Sequence, residues 1–319
     1  MKKAFVRSGA VIGALGLLLA SSACSTNTDS PAPDGDGDDT SSVSDIPTSG
    51  TDAANAVEAD PAVQELVPEA LLEAGVIRIV NDPTYAPMEF TADDGNIVGL
   101  DADLALAAAN AMGLEIEWSI VTFDGILAGI EAGRYDATFS SFSVTDDRLQ
   151  SVDMVSYFSS GTAIMVPKGE AGDYTESTDL CGKTVGVQTG TTQALEILPG
   201  IDEECASAGL DAIDMMILPA QDNVNQAVAS GRADAMVADN ALVAYYAQLQ
   251  PDAYEAVPGL LFDEAPIGVA MPKLDDGESL VPAFEAAFQS IIADGTYQAV
   301  FEAWQLQDSM LEAPEAFRG

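Results

Sequence analysis

The chain has 319 residues, with 52 acidic and 11 basic side chains giving a net charge of −41, and 48% of it is apolar. That length and apolar share can build one large or two moderate cores, whereas so few Lys and Arg argue against a nucleic-acid surface. Histidine is absent, which removes Ser/His/Asp and Cys/His nucleophile machinery and every His-based zinc site.

In chain order, residues 1–23 read as an export signal: Lys2, Lys3 and Arg7 form a basic head, VIGALGLLLA an apolar stretch too short to span a bilayer comfortably, and Ser21, Ser22 and Ala23 a small-residue cleavage site. Cys24 follows the predicted cut, and the pattern resembles a bacterial lipoprotein box, with Ser21 where that motif usually has Leu. The resemblance implies lipid on Cys24 and attachment to the outer face of the cytoplasmic membrane; ordinary cleavage is the alternative. Residues 24–60 contain no Lys, Arg or aromatic residue and are predicted to be a flexible acidic tether, because they cannot bury enough apolar surface to order themselves. Asp34, Asp36, Asp38 and Asp45 fall at EF-hand-like spacing, but Asp39 stands where the loop needs Gly, so a solvated linker is the expectation.

From residue 62 onward short β-branched runs alternate with helical stretches. AVQELVPEALLEAG predicts a helix ending at Gly75, VIRIV a strand, LALAAANAMG a helix ending at Gly113, IEWSIV a strand, GILAGIEAG a helix ending at Gly133, and DATF a strand. The second half repeats the theme with strands at KTVGV, AIDMMIL and DAMVA, and helices at TQALEIL, DNVNQAVASG and ALVAYYAQL. Such alternation predicts an α/β fold with mainly parallel sheets flanked by helices. A local echo, IEAGRYDA at 130–137 and VASGRADA at 228–235, suggests two comparable lobes. Cys181 and Cys205 form an even pair in an exported protein and are expected to be disulfide-bonded, the alternative being two buried thiols.

In open parallel sheets, ligands sit beyond the carboxyl ends of strands. One such end delivers Ser140, Ser141 and Ser143, with Thr145 and Arg148 beyond; another delivers Asp239 and Asn240. Arg148 is one of only eight basic residues after position 7. Either it pairs with Asp146, Asp147 or Asp153 on the surface, or it holds an anion. Gly190, Thr191 and Thr192 open a helix after KTVGV, so backbone N–H groups and the helix dipole favour a carboxylate there, although an ordinary cap is the plainer reading. Facing lobes would set a guanidinium and hydroxyls against the Asp239 carboxylate, a pattern that fits a zwitterionic α-amino acid. Asp239 as a helix N-cap is the alternative.

Four stretches, DPTYAPMEF (82–90) with GLDADLALAAANAM (99–112), DATFSSFSVTDDR (136–148), GVQTGTTQ (186–193) and GRADAMVADN (231–240), resemble in order the bacterial extracellular solute-binding proteins of the polar amino-acid class. These are the receptors of ABC importers, and the similarity is nearest to the histidine-binding and lysine/arginine/ornithine-binding type. DGTYQAVFEAW (294–304) looks like the family's C-terminal helix. The resemblance implies that Tyr85 stacks on the ligand with Phe123 on its other side, that Ser140, Ser141 and Ser143 bind its polar α-groups, and that Arg148 holds its carboxylate. It also implies that Gly190, Thr191 and Thr192 add second-lobe contacts, that Asp239 receives the ammonium, and that Asp82 approaches the side chain. Ala102 and Asp146 depart from the family pattern, where a larger aliphatic residue and Pro are usual.

The implied fold is two-lobed, with the ligand in the interlobe cleft: lobe 1 from 61–160 and 265–319, lobe 2 from 161–264. The implied activity is binding of a polar L-amino acid, with Asp82 and the acidic surface leaning toward a basic one, by hinge closure and delivery to a membrane permease, by a monomer that needs no cofactor and no metal. The alternatives are an exported enzyme like cyclohexadienyl dehydratase, since the folds are similar, and an amino-acid sensor.

Overall fold

The computed structural model describes residues 49–274 and 278–319. The export signal, Cys24 and the tether up to residue 48 lie outside the described residues. The last part of the expected tether is ordered. Helix α1 (Thr51–Asn55) buries Ala54, and Asp103 accepts hydrogen bonds from the Gly50 N–H (2.7 Å), the Thr51 hydroxyl (2.6 Å) and Trp304 Nε1 (2.7 Å). Small, polar residues concealed this docked turn, because a buried carboxylate far along the chain supplies its donors' partner.

Pro68 splits the first expected helix into α2 (Pro61–Gln64) and α3 (Glu69–Ala74); a proline has no N–H to continue the ladder. Next come β1 (Val76–Asn81), the short strands β2 (Thr84–Tyr85), β3 (Glu89–Thr91) and β4 (Ile97–Val98), then α4 (Leu100–Met112), β5 (Glu115–Ile120), α5 (Phe123–Glu131) and β6 (Ala137–Ser143). Helix α4 buries most of its circumference, and its Ala-rich sequence lets sheet and helices approach from all sides. Gly99 enters it at φ +132, where a Cβ would stand 2.1 Å from the Met88 carbonyl oxygen; only glycine fits there.

Two long strands follow the first half's pattern, β7 (Val152–Pro167) and, later, β11 (Tyr254–Pro272). Between them lie β8 (Thr184–Gln188), α6 (Leu198–Ala208), β9 (Asp214–Leu218), α7 (Gln221–Ala229), β10 (Ala235–Asp239) and α8 (Asn240–Leu249). The chain closes with α9 (Val281–Ala293), α10 (Thr296–Trp304) and β12 (Ala316–Phe317). The helix expected at TQALEIL is a π-helical turn at Gln193–Ile197 that leads into α6; Pro199 lacks the N–H that regular α-helix would require there.

The sheet runs β5-β1-β6-β11-β7-β10-β8-β9, with β12 on β7. Pairs β1/β5, β1/β6, β8/β10 and β8/β9 are parallel, whereas β6/β11, β11/β7 and β7/β10 are antiparallel. Each lobe therefore carries a three-stranded parallel wing, and the two long strands run between the wings in one continuous sheet. The largest apolar cluster includes α4, α9 and α10 residues together with Val224 and Leu242. Smaller ones form around Val185, Val187 and Leu198 beside β8 and α6 and around Val80, Ile126 and Phe142 beside β1, α5 and β6.

The echo seen in the sequence is repeated in the hydrogen bonds. Asp136 Oδ2 accepts from the Arg78 N–H at 2.8 Å, and Asp234 Oδ2 accepts from the Thr184 N–H at 2.8 Å. Their own N–H groups return bonds to the Arg78 and Thr184 carbonyls. Each Asp thus starts a strand, β6 or β10, beside the first strand of its own wing.

Candidate functional site

The carboxyl ends of β1, β6, β8 and β10 meet between the wings. Cys181 and Cys205 are disulfide-bonded, tying the segment before β8 to α6 and bracing the turn that carries Gly190, Thr191 and Thr192.

Arg148 begins a short 3-10 turn after β6 and is 8% exposed. Its Nη1 donates to the Ser143 carbonyl at 2.8 Å and its Nη2 to the Gly190 carbonyl at 3.3 Å, the latter across the cleft. The guanidinium carbon stands 4.8 Å from the Phe142 ring centroid and 5.8 Å from that of Phe123. Neither ion pair found among the described residues involves Arg148; they are Arg78–Asp136 and Lys168–Glu255. The surface pair with Asp146, Asp147 or Asp153 therefore does not form. Burial lowers the Arg148 pKa to about 10, opposed by Glu196, Asp239 and Asp147, so the group stays cationic at neutral pH without a carboxylate in contact.

Asp239 closes β10 and is 5% exposed. It precedes α8, yet its side chain makes no cap hydrogen bond. Its Oδ1 accepts from Gln193 Nε2 at 3.0 Å, and its backbone N–H donates to the Tyr85 hydroxyl at 3.0 Å. Burial raises its pKa to about 7, against the lowering effects of Tyr85, Gln193 and the Arg148 charge. Gln193 also donates to Thr162 Oγ1 at 3.0 Å. The sequence reading missed Gln193 although it ends the GVQTGTTQ stretch; the π-helical turn is what swings it inward.

A cavity of about 400 Å3 lies here, lined among others by Ser143, Thr192, Gln193 and Asp239 and by Asp146, Asp147, Glu196 and Asp263. No Lys or Arg lines it; Arg148 sits behind Ser143. This volume is within the usual range for small-ligand sites, about 300–1,000 Å3. Ser143 Oγ and Thr192 Oγ1 approach to 3.4 Å across it. Thr145 lines it as well, whereas Asp82, Tyr85, Phe123, Ser140, Ser141, Arg148, Gly190 and Thr191 lie outside the lining. Thr191 Oγ1 donates to the Gln188 carbonyl at 2.8 Å and accepts from the Ala194 N–H at 3.2 Å, a local cap. Ser140 donates to Glu89 Oε1 at 2.7 Å, while the Ser141 N–H donates to Asp101 Oδ2 at 2.8 Å. Phe123 stacks on Phe142, centroids 4.2 Å apart. Tyr85 packs with the largest apolar cluster and extends only its hydroxyl to Asp239.

Asp82 is 5% exposed; its Oδ2 accepts from the Phe123 N–H (3.0 Å) and, across the cleft, from Gln188 Nε2 (3.0 Å). Burial raises its pKa, with Asp222 and Asp124 adding to the rise. Asp82 helps line a second cavity of about 560 Å3 with Phe90, Asp222, Tyr245 and Tyr246, again without Lys or Arg. Gln188 Oε1 is buried and has no hydrogen-bond partner.

A family model described as bacterial extracellular solute-binding proteins, family 3, matches residues 77–307. The arginine-binding protein ArgT of Corynebacterium glutamicum is 32% identical over 255 residues, 79% of this chain and 81% of that protein. The L-cystine-binding protein TcyJ of Escherichia coli is 29% identical over 254 residues, 78% and 91% of the two chains. Among solved structures, an ancestral arginine-binding protein bound to arginine aligns with a TM-score of 0.65 and 31% identity, covering 72% of this chain and 98% of that one. The ancestral amino acid-binding protein AncCDT-1, a precursor of cyclohexadienyl dehydratase, aligns at 0.64 and 31%, covering 74% and 98%.

Proposed function

The chain belongs to family 3 of the bacterial extracellular solute-binding proteins, and from that premise we propose that it captures a basic L-amino acid between Arg148 and Asp239. It is an amino-acid solute-binding protein of ABC transport and not an enzyme, in keeping with its family and curated relatives. One observation carries the site assignment: a buried guanidinium with no carboxylate in ion-pair contact lies within electrostatic reach of the buried Asp239 carboxylate. A ligand carboxylate would replace the backbone carbonyls at Arg148, a stronger charge-assisted bond, and the ligand ammonium would meet Asp239. Ser143, Thr192 and Gln193 would complete the polar shell, with Gly190 allowing close approach.

A cationic far end is the better match for the rest of the cleft. Asp82 and Asp222 bring carboxylates to the second cavity, and Phe90, Tyr245 and Tyr246 bring aromatic rings, a lining that suits a guanidinium or ammonium. A second carboxylate, such as half of a cystine molecule carries, would find no cation among the residues lining that cavity. Extending a side chain there would part the Asp82–Gln188 and Tyr85–Asp239 bonds.

Closure would turn about β7 and β11. We place the lobes at 61–160 with 265–319 and at 161–264; Ser160 and Ala265 are register partners, beside a bulge between Phe262 and Ala265 that contains Asp263 at φ +48. The loaded monomer would dock on a membrane permease, with lipid on Cys24 retaining it at the membrane's outer face. Calorimetric titration with the common amino acids tests the reading: L-arginine or another basic amino acid should bind tightest, and binding of acidic amino acids alone would overturn it.

A further inference from the structure

Glu89 on β3 and Asp101 at the start of α4 are 1% and 0% exposed. Neither belongs to an ion pair among the described residues, and two isolated carboxylates at such depth would be strongly disfavoured. One oxygen of each is well served. Glu89 Oε1 accepts from Ser140 Oγ at 2.7 Å, and Asp101 Oδ2 accepts from the Ser141 N–H (2.8 Å), Ser141 Oγ (3.2 Å) and the Tyr157 hydroxyl (2.8 Å). The other two oxygens, Glu89 Oε2 and Asp101 Oδ1, are buried and have no hydrogen-bond partner. The Asp101 charge adds to burial in pushing the Glu89 pKa well up, and a single proton held between the two carboxyl groups would serve both orphaned oxygens.

We infer that Glu89 and Asp101 share one proton, and that this singly charged pair positions the ligand site by holding Ser141 in the left-handed conformation that sets Phe142 and the Ser143 carbonyl against Arg148. Ser141 has φ +51, a conformation costly for a residue with a Cβ. The strand is bulged at this point: Phe142 pairs with Gly268 and Thr138 with Ala270, so residues 139–141 oppose Val269 alone. The bulge turns consecutive Ser140 and Ser141 toward the buried acids and returns Phe142 to Phe123. Ser140 Oγ also accepts the Asp82 N–H at 3.1 Å, so the same pair steadies the end of β1. The proton resides on Glu89: burial and the Asp101 charge push its pKa well up, whereas Tyr157 and Ser141 donate to Asp101 and hold it to about 6. Both residues are positioning residues; neither lines the cleft cavities.

The test compares Glu89→Ala with Glu89→Gln, whose amide imitates the neutral carboxyl by donating to Asp101. Infrared difference spectra at neutral pH should show a protonated-carboxyl stretch in the parent protein that Glu89→Gln removes and Asp239→Asn leaves in place. In ligand-free protein, amide exchange of the segment 140–144 should accelerate in Glu89→Ala and return to the parent rate in Glu89→Gln. L-arginine should bind at least about tenfold more weakly to Glu89→Ala and within about threefold of the parent to Glu89→Gln. No band assignable to Glu89, or a Glu89→Gln protein that behaves like Glu89→Ala, would overturn the inference. The affinity arm rests on the proposed basic ligand. If the parent fails to bind L-arginine, that reading falls, while the infrared and exchange arms still decide the shared proton. Should Glu89→Ala not fold, the parent and Glu89→Gln spectra decide it.

Discussion

A single guanidinium carries more of the proposed site than any other side chain. Arg148 is held by two carbonyls and two aromatic rings, contacts that desolvate it without neutralising it. Replacing it with Met keeps the apolar stem against Phe142 and removes the charge; amino-acid affinity measured by calorimetry should fall by about 2–5 kcal/mol, with little change in thermal midpoint. Its counterpart adds a pH dependence. Burial raises the Asp239 pKa to about 7 from an ordinary value of 3.8, so the ligand-free fold binds a proton that the unfolded chain has released between those values. That contribution to stability is present at acid pH and is lost as pH rises through about 7. Ligand binding has the opposite sign, since an ammonium needs the ionised carboxylate: affinity should drop by up to about tenfold per pH unit below about 7. Asp239→Asn should bind weakly and show a flat profile over the same range. The positions of Arg148 beyond the end of β6 and of Asp239 at the end of β10 were legible, because both are charges that follow short apolar runs. Gln193, Gln188 and Glu89 were not, because a polar residue's role depends on which buried partner lacks a donor, and only coordinates reveal that.

The elements that present these residues are strand ends and the turns after them. Gly190 shows how closely the lobes meet. At φ +82, a Cβ on it would come within 3.1 Å of the Asp124 Cα and Cβ in the opposite lobe. Gly190→Ala should therefore weaken ligand affinity by about tenfold or more, combining left-handed strain with obstruction of closure; an unchanged dissociation constant would show that the lobes do not approach so closely in solution. The Cys181–Cys205 disulfide spans 24 residues and encloses β8 with the turn after it. Replacing both cysteines by Ser should lower unfolding free energy by about 3 kcal/mol, read from denaturant titration. Most elements could be found from periodicity and from Gly at helix ends. The exceptions have a common cause: Pro68 and Pro199 reshape helices whose apolar pattern runs straight through them, and α1 owes its order to Asp103, 52 positions beyond Thr51.

At the scale of the molecule, two parallel wings share one sheet through two long antiparallel strands, and every group proposed to touch ligand lies where the wings face each other. The repeated Gly-Arg-x-Asp turn allowed the two-lobe plan to be read from sequence. The degree of closure could not be, since it depends on bonds between distant residues: Asp82 with Gln188, Tyr85 with Asp239, and Gln221 N–H with Thr84 Oγ1 at 3.3 Å. Those bonds hold the cleft narrow and would be exchanged for ligand contacts on binding. The most direct measurement is a crystal structure of the complex with whichever amino acid binds tightest by calorimetry. The account predicts its α-carboxylate within hydrogen-bonding distance of the Arg148 guanidinium and its α-ammonium on Asp239; a ligand seated between the lobes with neither contact, or outside the cleft altogether, would contradict it.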